Sequence, residues 1–434
     1  MPRAGLLKPA NRFVGVHTFS SLRIRNYRLY FIGQGISLSG TWMQVIGQAW
    51  LVLKLSGSGT ALGFVVALQF LPVLLLAPWG GVIADRFYKR RLLYLTQTCS
   101  GVLALTLAML TATNVVRLWM VYVLAALLGL VNALDNPTRQ TFVHEMAGRD
   151  RLRNAVTLNA IEVNLTRVLG PAMAGAIIAT LGLAPCFFIN AGSYVAVLVC
   201  LFLMDGKELY VAEPVERQKG QLREGFRYVL RTPILRDVLL LMAIIGTLTY
   251  EFSVSLPLLA KYTFNGSAGS YAWLSGAMGA GAVAGGLVTA SRSRTRLRGL
   301  IWSAFGCGIA IVLTSISPSL ALACAGMVLV GAFSIGFTAL SNTILQRESK
   351  PNMRGRVMSL WTVAFLGSTT LGGPLVGWIG GHANPRWALG VGGCAALLAG
   401  FVGLLAMRGY RPHAAAEERA SLVPTSAEEN PQTL

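Results

Sequence analysis

The chain has 434 residues, of which 54% are apolar and only 12% charged, and its mean hydropathy is +0.59. A soluble domain carries roughly 25% charged residues, so a soluble globule, a disordered chain and a disulfide-stapled module are excluded, leaving a polytopic membrane protein. On a soluble chain the net charge of +20 would suggest nucleic acid; here the basic residues cluster between long apolar runs, and no nucleic-acid partner is expected.

Residues 1–28 hold six Lys/Arg and no acid, and read as a cytoplasmic N-tail rather than a cleavable signal. A bilayer core about 30 Å thick needs roughly 20 apolar residues per helix. Twelve stretches meet this: 29–53, 60–83, 92–112, 117–134, 155–181, 184–203, 237–259, 270–290, 299–316, 319–342, 357–379 and 386–407. The fold class is therefore all-α integral membrane. The segments predicted are an N-terminal six-helix bundle at 29–203, a cytoplasmic linker at 204–236, a C-terminal bundle at 237–407 and a disordered cytoplasmic tail at 408–434.

In span 1, Gln34, Ser37, Thr41, Gln44 and Gln48 step by three and four, which puts them on one helical face. Polar groups facing lipid are costly, so the stripe is expected to line a central cavity; hydrogen bonding between packed helices is the alternative. Asp135 and Arg139, at the inner end of span 4, are spaced as a loop-anchoring pair, and Asp135 is also a reserve candidate for proton coupling. Span 5 carries Glu162 and Arg167, which are too far apart in angle to pair on one helix; each is expected to meet another helix, as a substrate contact or as a structural ion. Gly170, Pro171 and Gly175 follow, and loosen span 5 locally.

The linker contains GQLREGFRYVLRTPILRD, with Leu222, Phe226, Val229 and Leu230 on one face and Arg223, Arg227 and Arg231 on another. It reads as an amphipathic helix on the inner leaflet or a solvated connector, ending near Pro233. In span 7, Glu251 lies too deep for a short carboxylate to reach water along lipid. Burial disfavours the charged form of a carboxylate, which suits proton exchange, and Glu251 is the first candidate for it, with Glu162 next; a purely structural Glu is the alternative. The glycines of span 8 are read as close packing, since a phosphate loop would follow a strand and carry Lys-Ser/Thr. The six cysteines are scattered singly and His144-Glu145 lacks a second His, so no metal, disulfide framework or cofactor is expected.

Of the 37 Lys/Arg, 32 fall in the N-tail, the alternate loops that share its side and the C-tail, while the opposite loops hold Lys54, Arg117, Lys261 and Arg386. The positive-inside rule then places both termini in the cytoplasm. The two halves also repeat: RQTFVHEMAGRDRLRNAVTLN…RVLGPAMAG in the first answers SNTILQRESKPNMRGRVMSLW…TLGGPLVGW in the second, where Gly373 and Pro374 match Gly170 and Pro171. Two pseudo-repeated six-helix bundles fit a transporter with a site between them.

After span 2 the chain reads GGVIADRFYKRRLL, which resembles the loop 2–3 signature of the major facilitator superfamily. Gly81, Asp85, Arg86, Lys89 and Arg90 match, with Tyr88 where a glycine is usual. The resemblance implies a gating latch against the start of span 11, near Gly355–Ser359; a topogenic basic cluster is the alternative. The second-half copy keeps Gly286 but has Ala290 in place of the acid. Span 5 partly resembles the family's antiporter motif, with Thr166 and Ala174 in place of two glycines, and the family's arginine in mid-span 4 is absent. ALDNPTRQTFVHEM, LRNAVTLN and GFRYVLRTP are similar to the branch of enterobactin exporters and macrolide efflux pumps.

What this resemblance implies is a non-enzymatic secondary transporter, a proton-coupled exporter of an amphipathic organic solute in a bacterial inner membrane. Its partners would be the lipid bilayer, a small-molecule organic substrate and protons, and it would act as a monomer. An importer or uniporter, and a non-transporting receptor or scaffold, are the alternatives.

Overall fold

The computed structural model describes residues 19–210, 221–291, 297–351 and 353–408. The expected tail beyond Arg408 and most of the N-tail lie outside them. Among the described residues all regular structure is helical. The membrane helices are α1 (Arg25–Ser56), α2 (Gly59–Arg86), α3 (Lys89–Ala112), α4 (Leu118–Gly148), α5 (Asn154–Leu181) and α6 (Leu183–Leu203), then α7 (Pro233–Thr263), α8 (Ala268–Ser291), α9 (Leu297–Ser315), α10 (Leu320–Glu348), α11 (Arg354–His382) and α12 (Pro385–Arg408). Eleven of them are long and apolar enough to cross a bilayer. The remaining one, α1, has 32 residues, ample length at 1.5 Å per residue; its polar stripe is what lowers its hydropathy.

Local sequence sets the ends. Gly57 closes α1 in the left-handed region at φ 63°, its N–H returning to the Leu53 carbonyl, and the Ser58 side chain accepts from the Ala61 N–H to start α2. Span 4 does not stop at residue 134 as hydropathy suggests. Its helix continues to Gly148, whose φ of 64° is cheap only for glycine, and α5 resumes beyond that kink. The charges at 135–147 sit in helix, not in a loop.

α7 is the most broken span. Pro233 opens it at the first helical turn, where a missing N–H costs nothing, and the first segment ends at Leu248. The helix restarts over Phe252–Leu258 and finishes in a π turn, Leu259–Thr263. Pro257, inside the second segment, cannot bond back one turn. α11 carries a matching irregularity, a π turn at Val363–Gly367.

The same pairings recur in both halves. α1 packs on α6, α3 on α6 and α2 on α4; likewise α7 packs on α12, α9 on α12 and α8 on α10. The halves meet along two seams, α2 with α11 and α5 with α8, which are equivalent under the repeat. Close approach explains Gly281 and Gly285 of α8, where a methyl would strike the α10 backbone, whereas a methyl at Gly276 would meet nothing within 4 Å. The linker helix, Gln221–Arg231, docks on the second half. Val229 is buried, Glu224 pairs with Arg356 at 2.6 Å, and the Lys350 N–H donates to the Tyr228 hydroxyl. Phe226, Leu230, Arg223 and Arg227 remain exposed on its outer side.

Candidate functional site

The break in α7 puts Glu251 at a junction of three helices. Its side chain is 2% exposed. α11 lies directly on the carboxylate: a methyl at Gly372 would stand 2.8 Å from Oε1, and one at Gly373 would stand 3.6 Å from Oε2 and 3.0 Å from the Gly63 carbonyl of α2. Thr369 stands beside the carboxylate, yet neither oxygen completes a hydrogen bond. The flanking residues are fixed. The Thr249 hydroxyl donates to the Gly392 carbonyl at 2.8 Å, and the Tyr250 hydroxyl donates to the Ser334 carbonyl at 3.1 Å and lies 3.0 Å from that of Thr338. Glu251 is thus a buried acid without a hydrogen-bond partner, set on a helix break and against the seam between the halves.

Within the first half, polar groups form a separate network. Asp135, 2% exposed, accepts from Thr96 at 2.6 Å and Gln97 at 2.8 Å, and pairs with Arg139 Nε at 2.6 Å. Arg139 in turn donates to Gln34 Oε1 at 3.0 Å. This pair therefore ties α4 to α1 and α3 inside the bundle; the expected loop anchor is corrected, because the helix extends past it. Gln44 accepts from Asn190 of α6 at 2.6 Å, and Gln34, Ser37, Gln44 and Gln48 are all buried, with Thr41 half-buried. Of the polar stripe of α1, Gln34 and Gln44 thus bond to α4 and α6 of their own half, and the Thr41 hydroxyl donates to the Ser37 carbonyl one turn back.

Glu162 and Arg167 do not pair with each other. Glu162 is buried, its Oε1 filling the notch that a side chain at Gly35 of α1 would occupy, and neither of its oxygens has a hydrogen-bond partner. Arg167, midway along α5, places its guanidinium 5.3 Å from the centre of the Trp42 ring.

The Gly373-Pro374 step and Gly175 lie at the seams, whereas Gly170 packs within its own half. Gly175 meets α8 at Ala272, Gly373 and Pro374 meet α2 at Gly63, and Gly170 takes the side chain of Trp42. Pro171 and Pro374 are accommodated inside α5 and α11. Of the expected latch, the side chains of Gly81, Asp85 and Arg86 lie outside the described residues. Lys89 pairs with Glu145 at 2.6 Å, and Arg90 donates to the carbonyls of Leu201 and Phe202, so these two bind helices of their own half.

Sequence reasoning missed an aromatic group on the second half. Tyr250 meets Phe365 edge-on at 5.6 Å, and Phe365 stacks on Trp361 at 5.3 Å. Its signal was faint, being one aromatic in span 7 and two in span 11, four residues apart. No group of side chains suited to a metal occurs among the described residues.

Residues 16–429 match the family described as Transmembrane secretion effector. The chain is 25% identical to the uncharacterized MFS-type transporter YfiS of Bacillus subtilis strain 168, over 86% of this chain and 91% of that protein. It is 26% identical to the Staphyloferrin A transporter of Staphylococcus aureus, over 77% and 84%. It is 26% identical to the enterobactin exporter EntS of Shigella flexneri, over 76% and 78%. Among solved structures, a bacterial homolog of the human lysosomal transporter Spinster, inward-facing and unoccupied, superposes with a TM-score of 0.68 at 14% identity, covering 90% of this chain and 97% of that one. That likeness bears on the fold.

Proposed function

The chain belongs to the transmembrane secretion effector family, secondary transporters of the major facilitator type, and we propose that it exports an amphipathic, siderophore-like organic solute in exchange for protons. The membrane would be a bacterial inner membrane, with both termini in the cytoplasm. The observation that carries the coupling is Glu251, whose two oxygens are buried and unpartnered at the break of α7. Opening the seam between α2 and α11 would give that carboxylate water, and closing it would withdraw the water. A carboxylate alternately wetted and dried takes up a proton in one state and releases it in the other. Relatives named as siderophore transporters and exporters weigh toward export over import, and a scaffold has no use for a costly unpaired acid in the membrane.

The test is transport in proteoliposomes with enterobactin and staphyloferrin A as probes. Wild type should accumulate one of them when a proton gradient is imposed. Glu251→Gln should lose gradient-driven accumulation and keep probe exchange in the absence of a gradient. Full gradient-driven accumulation by that variant would remove Glu251 from coupling and pass the role to Glu162.

A further inference from the structure

Arg167 is a charge of the membrane interior that the coupling scheme leaves unused. It sits at the midpoint of α5, out of reach of either membrane surface for a snorkelling side chain. Its Nε is buried without a hydrogen-bond partner, and no acidic side chain pairs with it among the described residues. Glu162, five residues away, turns instead to Gly35. A cation held in a membrane without a counter-ion is costly and marks a ligand path.

Its surroundings are aromatic. On its own half the guanidinium lies over Trp42 at 5.3 Å, an attraction that leaves the N–H edge free for an acceptor. In the facing half, Tyr250 reaches α10 through the Ser334 carbonyl and continues into Phe365 and Trp361. All five side chains are half-buried rather than sealed. α8 closes the seam just behind, Gly279 lying against the Arg167 carbonyl.

We propose that Arg167 and Trp42, together with the Tyr250–Phe365–Trp361 group, form a binding site for an aromatic organic anion. The acid group, a carboxylate or phenolate, would sit on the guanidinium edge, whose planar fork matches two acceptor oxygens. The ring would lie against the aromatic side chains. This names the substrate class for the transport reading above and rests on it.

The experiment uses the full chain in lipid nanodiscs and three probes with one fluorophore: dansylglycine (anionic), dansylamide (neutral) and dansylcadaverine (cationic). Empty nanodiscs correct for partitioning into lipid. Wild type should bind dansylglycine about tenfold more tightly than dansylamide, the scale of one charge-assisted contact, and dansylcadaverine least. Arg167→Gln should erase that preference, and Arg167→Lys should weaken binding while keeping the order of the probes. Wild type binding the amide or the amine as well as the anion overturns the proposal without any variant. An Arg167→Gln protein that folds and keeps the anion preference also overturns it. Anion preference in a wild type that accumulates no probe under a proton gradient would sink the coupled-export reading and leave this site standing.

Discussion

Lys261 of α7 donates from Nζ to the backbone carbonyl of Leu53 in α1 at 2.6 Å. One residue on, the Tyr262 hydroxyl donates to the carbonyl of Gly57 at 2.7 Å. Both bonds cross between the halves at the end of the bundle away from the described termini. They clasp two helix ends that must separate if the central site is to face that side.

Removing the clasp should shift the balance of states. Lys261→Met, combined with Tyr262→Phe, is expected to raise the population open at that end several-fold, since a lost charged hydrogen bond is worth about 1.5–3 kcal/mol before solvent competes for it. Spin labels on the α1–α2 and α7–α8 turns would read the change as a longer distance between them. An unchanged distance distribution would mean that the seams alone hold this end shut.

Orientation follows from the distribution of Lys/Arg. In a background without the six native cysteines, Ser267→Cys should react with an impermeant maleimide in intact cells, and Lys350→Cys only after permeabilisation. Both positions are exposed, at opposite ends of the helices they border. Reversed labelling would invert the assignment of every loop.

The Asp135–Arg139 pair should matter to stability more than to transport. Asp135→Asn leaves a largely buried guanidinium without its counter-ion and should cost about 3 kcal/mol or more. Pairing Asp135→Leu with Arg139→Met should recover much of the loss, because neither charge then remains. Thermal unfolding in detergent measures both. A single variant as stable as wild type would show that Gln34 and Asn136, whose Oδ1 accepts from Arg139 at 3.3 Å, suffice for Arg139.

Much of the architecture was legible in the sequence, for plain reasons. Apolar runs of the right length mark membrane helices whatever their neighbours, and the alternation of basic loops orders them. What failed was direction and extent. Hydropathy ends span 4 at residue 134, whereas the helix runs on to Gly148 with Asp135 and Arg139 paired inside the bundle. The stripe from Gln34 to Gln48 has a clear period, but a period fixes a face and not the neighbour it meets; for Gln34 that neighbour is α4 and for Gln44 it is α6. Glu251 could be singled out as a deep acid, yet the break that presents it was signalled only by Pro257, two turns later. The contact between Glu251 and Gly372 joins residues far apart in the chain, and no local pattern encodes it.

The irregular helices are unevenly shared. α7 breaks beside Glu251 and ends in a π turn, and α11 contains another π turn; both belong to the second half. α1, which meets α7, and α5, which meets α8, hold regular helical geometry through their spans, Pro171 included. On the transport reading proposed above, two copies of one plan would divide the mechanical labour. The first would serve as a stiff frame that keeps Arg167 and Trp42 in register, and the second as the compliant jaw, its joints set beside the acid whose protonation would tell it when to move.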